Sequence, residues 1–423
     1  MKAYKWQELF KLAKAKSPYY AELYAGIEEV ESLSRLPITE QSEFWKANTV
    51  KNNRVLTSSN LEGIVFKSGG TTGNPKFSVY SREEWQAFCD YFGEGMSRFG
   101  LSAFDRVANL FYVGELYASF IFIMNCIEAA PQAVLQFPIG GACDPEQILK
   151  NVEEFEINVI AALPTTIMNL AEFYAAHKSK FQGIKIKKIL FGGESMYPDQ
   201  RKRLFEIFGE LSIISIGYAS VDAGLIGYAD QSCLEGEHRV FSKASILEIV
   251  DEDSLEPIYE VNRPGKILLT NLIRSLMPII RYPVGDRGIW TEDESENRDR
   301  KYMILGRSEE AARVGPVSVY YEDMRAFLQS LELEFEICAF QLLIKHFDLK
   351  DALILRLSIT NDEIDFGSVE KLISARFAAE RLMFAEAIAA HKVHPLFVEW
   401  VSPGEIEINS RTGKLRRVID ERF

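Results

Sequence analysis

Apolar positions along this chain follow different rhythms in different stretches. Over residues 5–25 they recur at helical spacing, with Trp6, Leu9, Phe10 and Leu12 on one face, and Ser17-Pro18 interrupts or restarts the helix. The stretch LSRLPITEQSEFW then turns at Pro37 and offers Thr39 as a helix cap. From about residue 60 to 290, short apolar runs alternate with amphipathic stretches. RVANLF (106–111), AVLQF (133–137), VIAAL (159–163), KILF (188–191) and SIISIGY (212–218) read as strands. PEQILKNVEEF and PDQRKRLFEIFG read as helices, each opened by a proline suited to the first turn. The alternation predicts an α/β architecture with largely parallel strands.

Beyond residue 305 the rhythm changes. ALILRLSIT (352–360) reads as a strand, residues 366–391 as one long helix and LFVEWV (396–401) as another strand. The pattern predicts a large N-terminal domain over 1–305, with mixed or parallel sheets and helices, and a small α+β domain over 306–423. Pattern alone sets that boundary, because no long Pro/Gly linker marks it.

Composition narrows the field without naming a function. The 423 residues are 47% hydrophobic and 26% charged, enough for a sizeable core. A net charge of −13 argues against nucleic acid as the main partner, since that binding rests on Lys and Arg neutralising phosphates. Lys185, Lys187 and Lys188 are a local exception that a solvated strand end explains as well. A small polyanion held by backbone amides and a few cations stays open. Cysteines 89, 126, 143, 233 and 338 are scattered without CxxC spacing, and the amino terminus is amphipathic and not signal-like. With no membrane-length apolar run, a cytoplasmic protein with reduced thiols is expected.

SGGTTGNPK at 68–76 carries the most chemistry. Gly69, Gly70 and Gly73 let the backbone approach a ligand, Ser68, Thr71 and Thr72 add hydroxyl donors, and Lys76 adds a cation. Such a concavity suits phosphate oxygens. It is not a Walker A loop, because Pro75 precedes the lysine and Phe77 replaces the required Ser or Thr. Taken alone, the nonamer is equally a polar hairpin turn.

Its companions point further. FGGES (191–195), YASVDAG (218–224), MPIIRYPVGDRG (277–288), LGRSEE (305–310) and RTGKLRRVID (411–420) follow in order. With them the chain resembles the adenylate-forming superfamily of acyl-CoA synthetases, and within it the phenylacetate-CoA ligase group. The resemblance spans almost the whole chain, including SPYYAELYAGI and LSRLPITE near the start.

The resemblance implies an ATP-dependent ligase that joins a small carboxylic acid to AMP and then passes the acyl group to the thiol of CoA. Ser68, Gly69, Gly70, Thr71, Thr72, Gly73 and Lys76 would grip the ATP phosphates. Gly192, Gly193, Glu194, Ala219 and Ser220 would line the nucleotide, Tyr218 would stack on adenine, and Asp286 and Arg307 would hold the ribose. Lys414 would reach the bond forming between carboxylate and α-phosphate, where a cation offsets the repulsion of two anions. Each has a plainer reading: a turn residue for Asp286, a surface arginine for Arg307, a core tyrosine for Tyr218, a basic tail for Lys414.

The family's Mg²⁺-holding Glu is Asp222 here, one methylene shorter, and the Thr before it is Val221. Mg²⁺ accepts Asp readily, but the reach changes. Cys233 and His238 match half of a zinc site found in some members; the cysteine pair expected before the hinge is missing from TEDESENRDRKY, so no zinc is expected. Tyr112, Tyr117 and Phe120 fall where the family builds its acyl pocket and favour an aromatic or apolar acid, although aromatics in such runs are usually core. Glu309 keeps an acidic residue at the hinge, so the family's rotation of its small domain is carried over as an expectation. An acyl carrier protein, a protein cysteine or an amine stays open as the acceptor. A homodimer is common in the group, and a diverged nucleotide or acyl-adenylate binder without catalysis is the alternative from a different class.

Overall fold

The computed structural model describes residues 3–67, 77–98, 100–193, 196, 198–251, 254–295, 298–307, 311–314, 317–347, 350–359, 364–389, 393–408 and 413–421. The chain divides into two compact units. One comprises Met1–Leu305 with Ser410–Lys414, the other Gly306–Asn409 with Leu415–Phe423. The segment bearing Lys414 thus groups with the first unit.

In the first unit, α1 (Trp6–Lys16) buries Leu9, Phe10 and Ala13. It stops at Ser17, whose hydroxyl then caps α2 (Pro18–Leu23) by accepting the Tyr20 amide at 3.4 Å. The cap of α3 (Gln41–Ala47) differs from the sequence reading. Glu40 is the N-cap, its carboxylate accepting the Ser42 and Glu43 amides at 3.2 and 2.7 Å. Thr39 instead donates its hydroxyl to the Ile280 carbonyl at 2.7 Å, so a tertiary partner took the residue that local preference assigned to the cap. Tyr19, Tyr20, Tyr24, Phe10 and Phe44 pack as one aromatic cluster, with Tyr20 and Tyr24 stacked at 5.4 Å.

Strands β1 (Gly63–Lys67) and β2 (Phe77–Ser81) pair antiparallel, from Gly63 opposite Ser81 to Lys67 opposite Phe77. SGGTTGNPK is the segment between them, and residues 68–76 lie outside those described. Helix α4 (Arg82–Ser97) follows through a capping box. The Ser81 hydroxyl accepts the Glu84 amide at 3.2 Å, and the Glu84 carboxylate accepts the Ser81 amide at 3.0 Å.

The five strands read from the sequence form one sheet. They are β3 (Arg106–Asn109), β4 (Leu135–Pro138), β5 (Val159–Ala162), β6 (Lys188–Phe191) and β7 (Ser212–Ser215), ordered β4-β3-β5-β6-β7. Every neighbouring pair is parallel. Alternate residues feed two cores. Val107, Val159, Ala161 and Leu190 join the cluster that contains residues of α4 and α5 (Ser119–Ala129). Ala108, Ile160, Ala162 and Ile189 join the cluster that contains residues of α6 (Pro145–Glu154), α7 (Pro164–Ala176) and α8 (Pro198–Phe208). Burial on both faces is why these strands appear in the sequence as unbroken apolar runs.

A second sheet, seven-stranded, is built from β8 (Tyr218–Ser220), β9 (Gly224–Tyr228), β10 (Glu237–Val240), β11 (Ser245–Val250), β12 (Gly265–Asn271), β13 (Ile279–Trp290) and β14 (Lys301–Arg307). Its order is β11-β12-β13-β14-β10-β9-β8. The pairs β11–β12, β12–β13, β10–β14, β9–β10 and β8–β9 are antiparallel.

The second unit holds the hairpin β15 (Ala311–Val314) and β16 (Val317–Tyr320), helix α9 (Tyr321–Ser330), and a four-stranded sheet. That sheet contains β17 (Ile337–Phe347), β18 (Lys350–Ile359), β19 (Phe397–Val401) and β20 (Val418–Asp420), ordered β19-β18-β17-β20. The single helix expected over 366–391 is two, α10 (Phe366–Glu380) and α11 (Leu382–Ala389). Arg381 leaves helical geometry at φ −111°, ψ 70°, and its guanidinium donates to the Asp323 carbonyl at 2.9 Å. Phe377 and Phe384, one on each piece, still meet edge-on at 5.2 Å in the core. Among the described residues, no helix is long and apolar enough to cross a membrane.

Candidate functional site

The described candidates fall into three local groups within the first unit, around Asp286, around Asp222 and around Gly193. Tyr218, at the start of β8, donates its hydroxyl to the Asp286 carboxylate on β13, and Asp286 is 7% exposed. Tyr218 is therefore neither a purely apolar core residue nor isolated from the acidic position. Its ring lies 6.2 Å from that of His238, on β10.

The turn after β8 carries Val221 and Asp222, and neighbouring elements fasten it on several sides. The Ser220 hydroxyl accepts the Ala223 amide at 3.0 Å. The Tyr80 hydroxyl donates to the Val221 carbonyl at 2.8 Å, and Asn271 donates to the Ala223 carbonyl at 2.8 Å. Arg274, 0% exposed, donates to the Asp222 carbonyl at 2.7 Å and the Val79 carbonyl at 2.8 Å, with its guanidinium 3.9 Å from the Tyr80 ring centre. A buried guanidinium is costly unless its donors are used. Here it joins the strand leaving the 68–76 segment to the turn bearing Asp222. The Asp222 carboxylate accepts the Tyr282 hydroxyl at 2.9 Å and the Ala223 amide at 3.2 Å.

Gly192 and Gly193 follow β6. Gly193 has φ +79°, and a Cβ there would stand 2.9 Å from Leu163 Cδ2. The same Cβ would lie 3.4 and 3.5 Å from Lys414 Cε and Nζ. That is ordinary contact with the end of the Lys414 side chain, so the tight neighbour of Gly193 is Leu163 and the lysine lies alongside the bare turn. Gly413, at φ +69°, presents its own missing Cβ to the Tyr112 ring. Tyr112 lies 3.4 Å, oxygen to oxygen, from the Thr166 hydroxyl. Tyr117 is buried, while Tyr112 and Phe120 are partly buried against the core beneath α4 and α5.

Other predicted residues are outside the described residues or have different partners. Ser68, Gly69, Gly70, Thr71, Thr72, Gly73 and Lys76 lie outside the described residues, as do Glu194 and the hinge residue Glu309. Arg307 ends β14, with only its backbone described. Arg281, left without a role by the sequence, is a fastener: its guanidinium donates to the Ser34 and Leu36 carbonyls at 2.8 and 2.5 Å and to Glu248 at 3.1 Å. The two would-be zinc ligands have other partners. His238 sits 3.1 Å from the Ser215 hydroxyl through Nε2, and burial pushes its pKa down to about 4. Cys233 faces Asp230, and its thiol is pushed up to about 11 by burial and the nearby carboxylate. Sequence reading missed Arg274, Tyr80 and Trp45, and gave no separate role to Tyr282 inside MPIIRYPVGDRG. A usable signal existed for Arg274, the lone charge in LLTNLIRSLMPII.

Comparison with known proteins decides the class. Residues 13–272 match the model of the AMP-binding enzyme family. The chain belongs to that family. It is 23% identical over 411 residues to the phenylacetate-coenzyme A ligase of Thermus thermophilus, covering 94% of this chain and 89% of that one. It is 29% identical over 285 residues to the indoleacetate–lysine synthetase of Pseudomonas savastanoi, covering 64% and 62%. The fold matches a 2-hydroxyisobutyryl-CoA ligase bound to R3-HIB-AMP in its postadenylation state, with TM-score 0.73, 20% identity and coverage of 98% and 88%. The AtGH3.15 acyl acid amido synthetase in complex with 2,4-DB also matches, with TM-score 0.72, 12% identity and coverage of 98% and 91%. The chain is an AMP-forming ligase of the phenylacetate-CoA ligase group, and its α/β fold is that of the adenylate-forming enzymes.

Proposed function

We propose that this ligase activates a small carboxylic acid, aromatic or apolar, as its acyl-adenylate and then delivers the acyl group to the thiol of CoA. The observation that carries the reading is the grouping of Tyr218–Asp286, Asp222 and the Gly193–Lys414 contact inside the unit that contains the family match. Asp286 would accept hydrogen bonds from ribose hydroxyls, and Tyr218, tied to it, would lie along the adenine. Gly192, Gly193, Ala219 and Ser220 would line the nucleotide. Lys414 would place its ammonium where carboxylate and α-phosphate oxygens approach, the point at which repulsion is greatest.

Asp222 would hold Mg²⁺ with the ATP phosphates. A carboxylate is the hard oxygen donor this cation takes. Its hydrogen bonds from the Ala223 amide and the Tyr282 hydroxyl fall one to each oxygen, so each oxygen keeps acceptor capacity. When bound, the cation would neutralise charge on the phosphates. Tyr112, Tyr117 and Phe120 would form part of the acid's apolar wall.

CoA is supported as acceptor by the Thermus relative, whose match covers most of both chains. An amine is the second reading, supported by the name of the Pseudomonas savastanoi relative, although that match covers less. Pyrophosphate release from a panel of aryl and alkyl acids, with CoA, with lysine and with neither, tests both. Acid-dependent release accompanied by thioester supports the proposal. Amide without thioester replaces the acceptor, and no release with any acid favours a nucleotide binder without catalysis.

A further inference from the structure

Asp222 owes the aim of its carboxylate to a chain of hydrogen bonds that begins on a different element. The Trp45 indole N–H, on α3, donates to the Tyr282 oxygen at 2.9 Å, and the Tyr282 hydroxyl donates to Asp222 Oδ2 at 2.9 Å. Tyr282 is 0% exposed, and its ring is gripped edge-on by Phe44 at 5.6 Å and by Trp45 at 6.3 Å. The Asp222 carbonyl is fixed separately by Arg274. Backbone and carboxylate are thus held from two directions.

We infer that Tyr282, steadied by Trp45, is the positioning residue that orients Asp222 toward the cation and phosphates of the bound nucleotide. This rests on the reading of Asp222 given above and adds what sets its geometry. The terminal torsion of an aspartate is soft, so a carboxylate left to itself samples a broad range of orientations. A buried phenol that must use its proton removes that freedom by occupying one lone pair of Oδ2 and leaving the others directed away from it. Donation by Trp45 polarises the phenol and strengthens its own donation, as successive hydrogen bonds do at low dielectric. The aromatic packing fixes the ring before any ligand arrives, so no ordering is left for the binding step. Partners that orient a ligating group typically change metal affinity about 10–100-fold when removed.

The test compares Asp222→Ala, Tyr282→Phe, Trp45→Phe and the Asp222→Ala/Tyr282→Phe double variant in the full chain. Mn²⁺ binding in the presence of a non-hydrolysable ATP analogue is followed by electron paramagnetic resonance, alongside the Mg²⁺ dependence of pyrophosphate exchange. Asp222→Ala should leave the binding that the phosphates alone supply, weakening nucleotide-dependent Mn²⁺ binding more than the other single variants. Tyr282→Phe, which keeps the ring, should weaken it about tenfold. Trp45→Phe, which leaves the Tyr282 hydroxyl in place, should weaken it in the same direction by less, and it tests the same chain should Tyr282→Phe fold poorly. Tyr282→Phe should add nothing in the Asp222→Ala background, the signature of action through that carboxylate. Wild-type Mn²⁺ binding by Tyr282→Phe and Trp45→Phe, with Asp222→Ala defective, overturns this inference and leaves the Asp222 reading intact. Wild-type binding by Asp222→Ala overturns that reading itself.

Discussion

The two poles of the candidate site are made by opposite means. Around Asp222 and Asp286 position is set by what is present: the hydroxyls of Tyr282 and Tyr218, and the Arg274 guanidinium under the turn. Beside Lys414 the neighbour is bare backbone, since a Cβ on Gly193 would come within ordinary contact distance, 3.4 and 3.5 Å, of the lysine's end. The acidic pole is assembled from residues 218–286 and their neighbours in one sheet, whereas the lysine enters from a short segment far along the chain. The difference teaches that the two acids are fixed by side-chain hydrogen bonds, whereas the end of the lysine lies against a glycine turn.

Breaking the acidic pole should have the largest effect. Asp286→Ala removes a buried acceptor, and at about 1.5–3 kcal/mol for each hydrogen bond to a charged group the KM for ATP should rise about 100-fold. Steady-state kinetics with saturating acid measure it; an unchanged KM would take Asp286 out of the nucleotide site. Arg274→Met keeps much of the volume but strands the Asp222 and Val79 carbonyls. It should cost about 3 kcal/mol in urea unfolding and also weaken nucleotide binding, because both ends of the link move.

The histidine behind Tyr218 ties stability to pH. His238 is buried among Ser215, Tyr218 and Tyr302, beside Glu237, and burial lowers its pKa from about 6.5 to about 4. The folded state therefore excludes a proton that the unfolded chain binds between those values. Stability from this group is fully present above about pH 6.5 and is lost as pH falls toward about 4, by at most about 3 kcal/mol. Urea unfolding at pH 7 and pH 4.5 should show a smaller pH-dependent loss in His238→Asn than in wild type. An equal loss would mean that the ring is protonated in the fold.

Adding a side chain at Gly193 is the mildest change. Gly193→Ala puts a methyl at φ +79° and 2.9 Å from Leu163, a backbone cost of about 1–2 kcal/mol. Relief of that strain shifts the turn beside Lys414, so pyrophosphate exchange should slow while ATP affinity stays near wild type. A loss in affinity equal to the loss in rate would show that Gly193 serves the nucleotide and not the lysine.

How far the sequence reached follows from the same contrast. KILF reads as β6 without change, because a strand buried on both faces is apolar throughout. The antiparallel sheet was harder: β13 runs through IIRYPVGDRGIW, where charged and glycine positions break any simple period. Motif order nominated Asp222, Asp286, Gly193 and Lys414, since those residues are local to their motifs, and MPIIRYPVGDRG even contains Tyr282. The partners of Tyr282 and Arg274 were beyond it. Tyr282 meets Asp222 across 60 positions and Arg274 meets the Asp222 carbonyl across 52, and such a pairing exists only once the sheet has formed. Thr39 and Arg381 show the same limit, with a distant carbonyl overruling the local cap at one and the unbroken helix at the other.

The most direct test of the account is a single turnover with ATP labelled at the α-phosphate, the preferred acid and no thiol, quenched over time for wild type and Lys414→Ala. Wild type should accumulate labelled acyl-adenylate, and Lys414→Ala should form it at least about 100-fold more slowly while still binding ATP. Acyl-adenylate appearing at the wild-type rate in Lys414→Ala would contradict the assignment of the lysine, and with it the site described here.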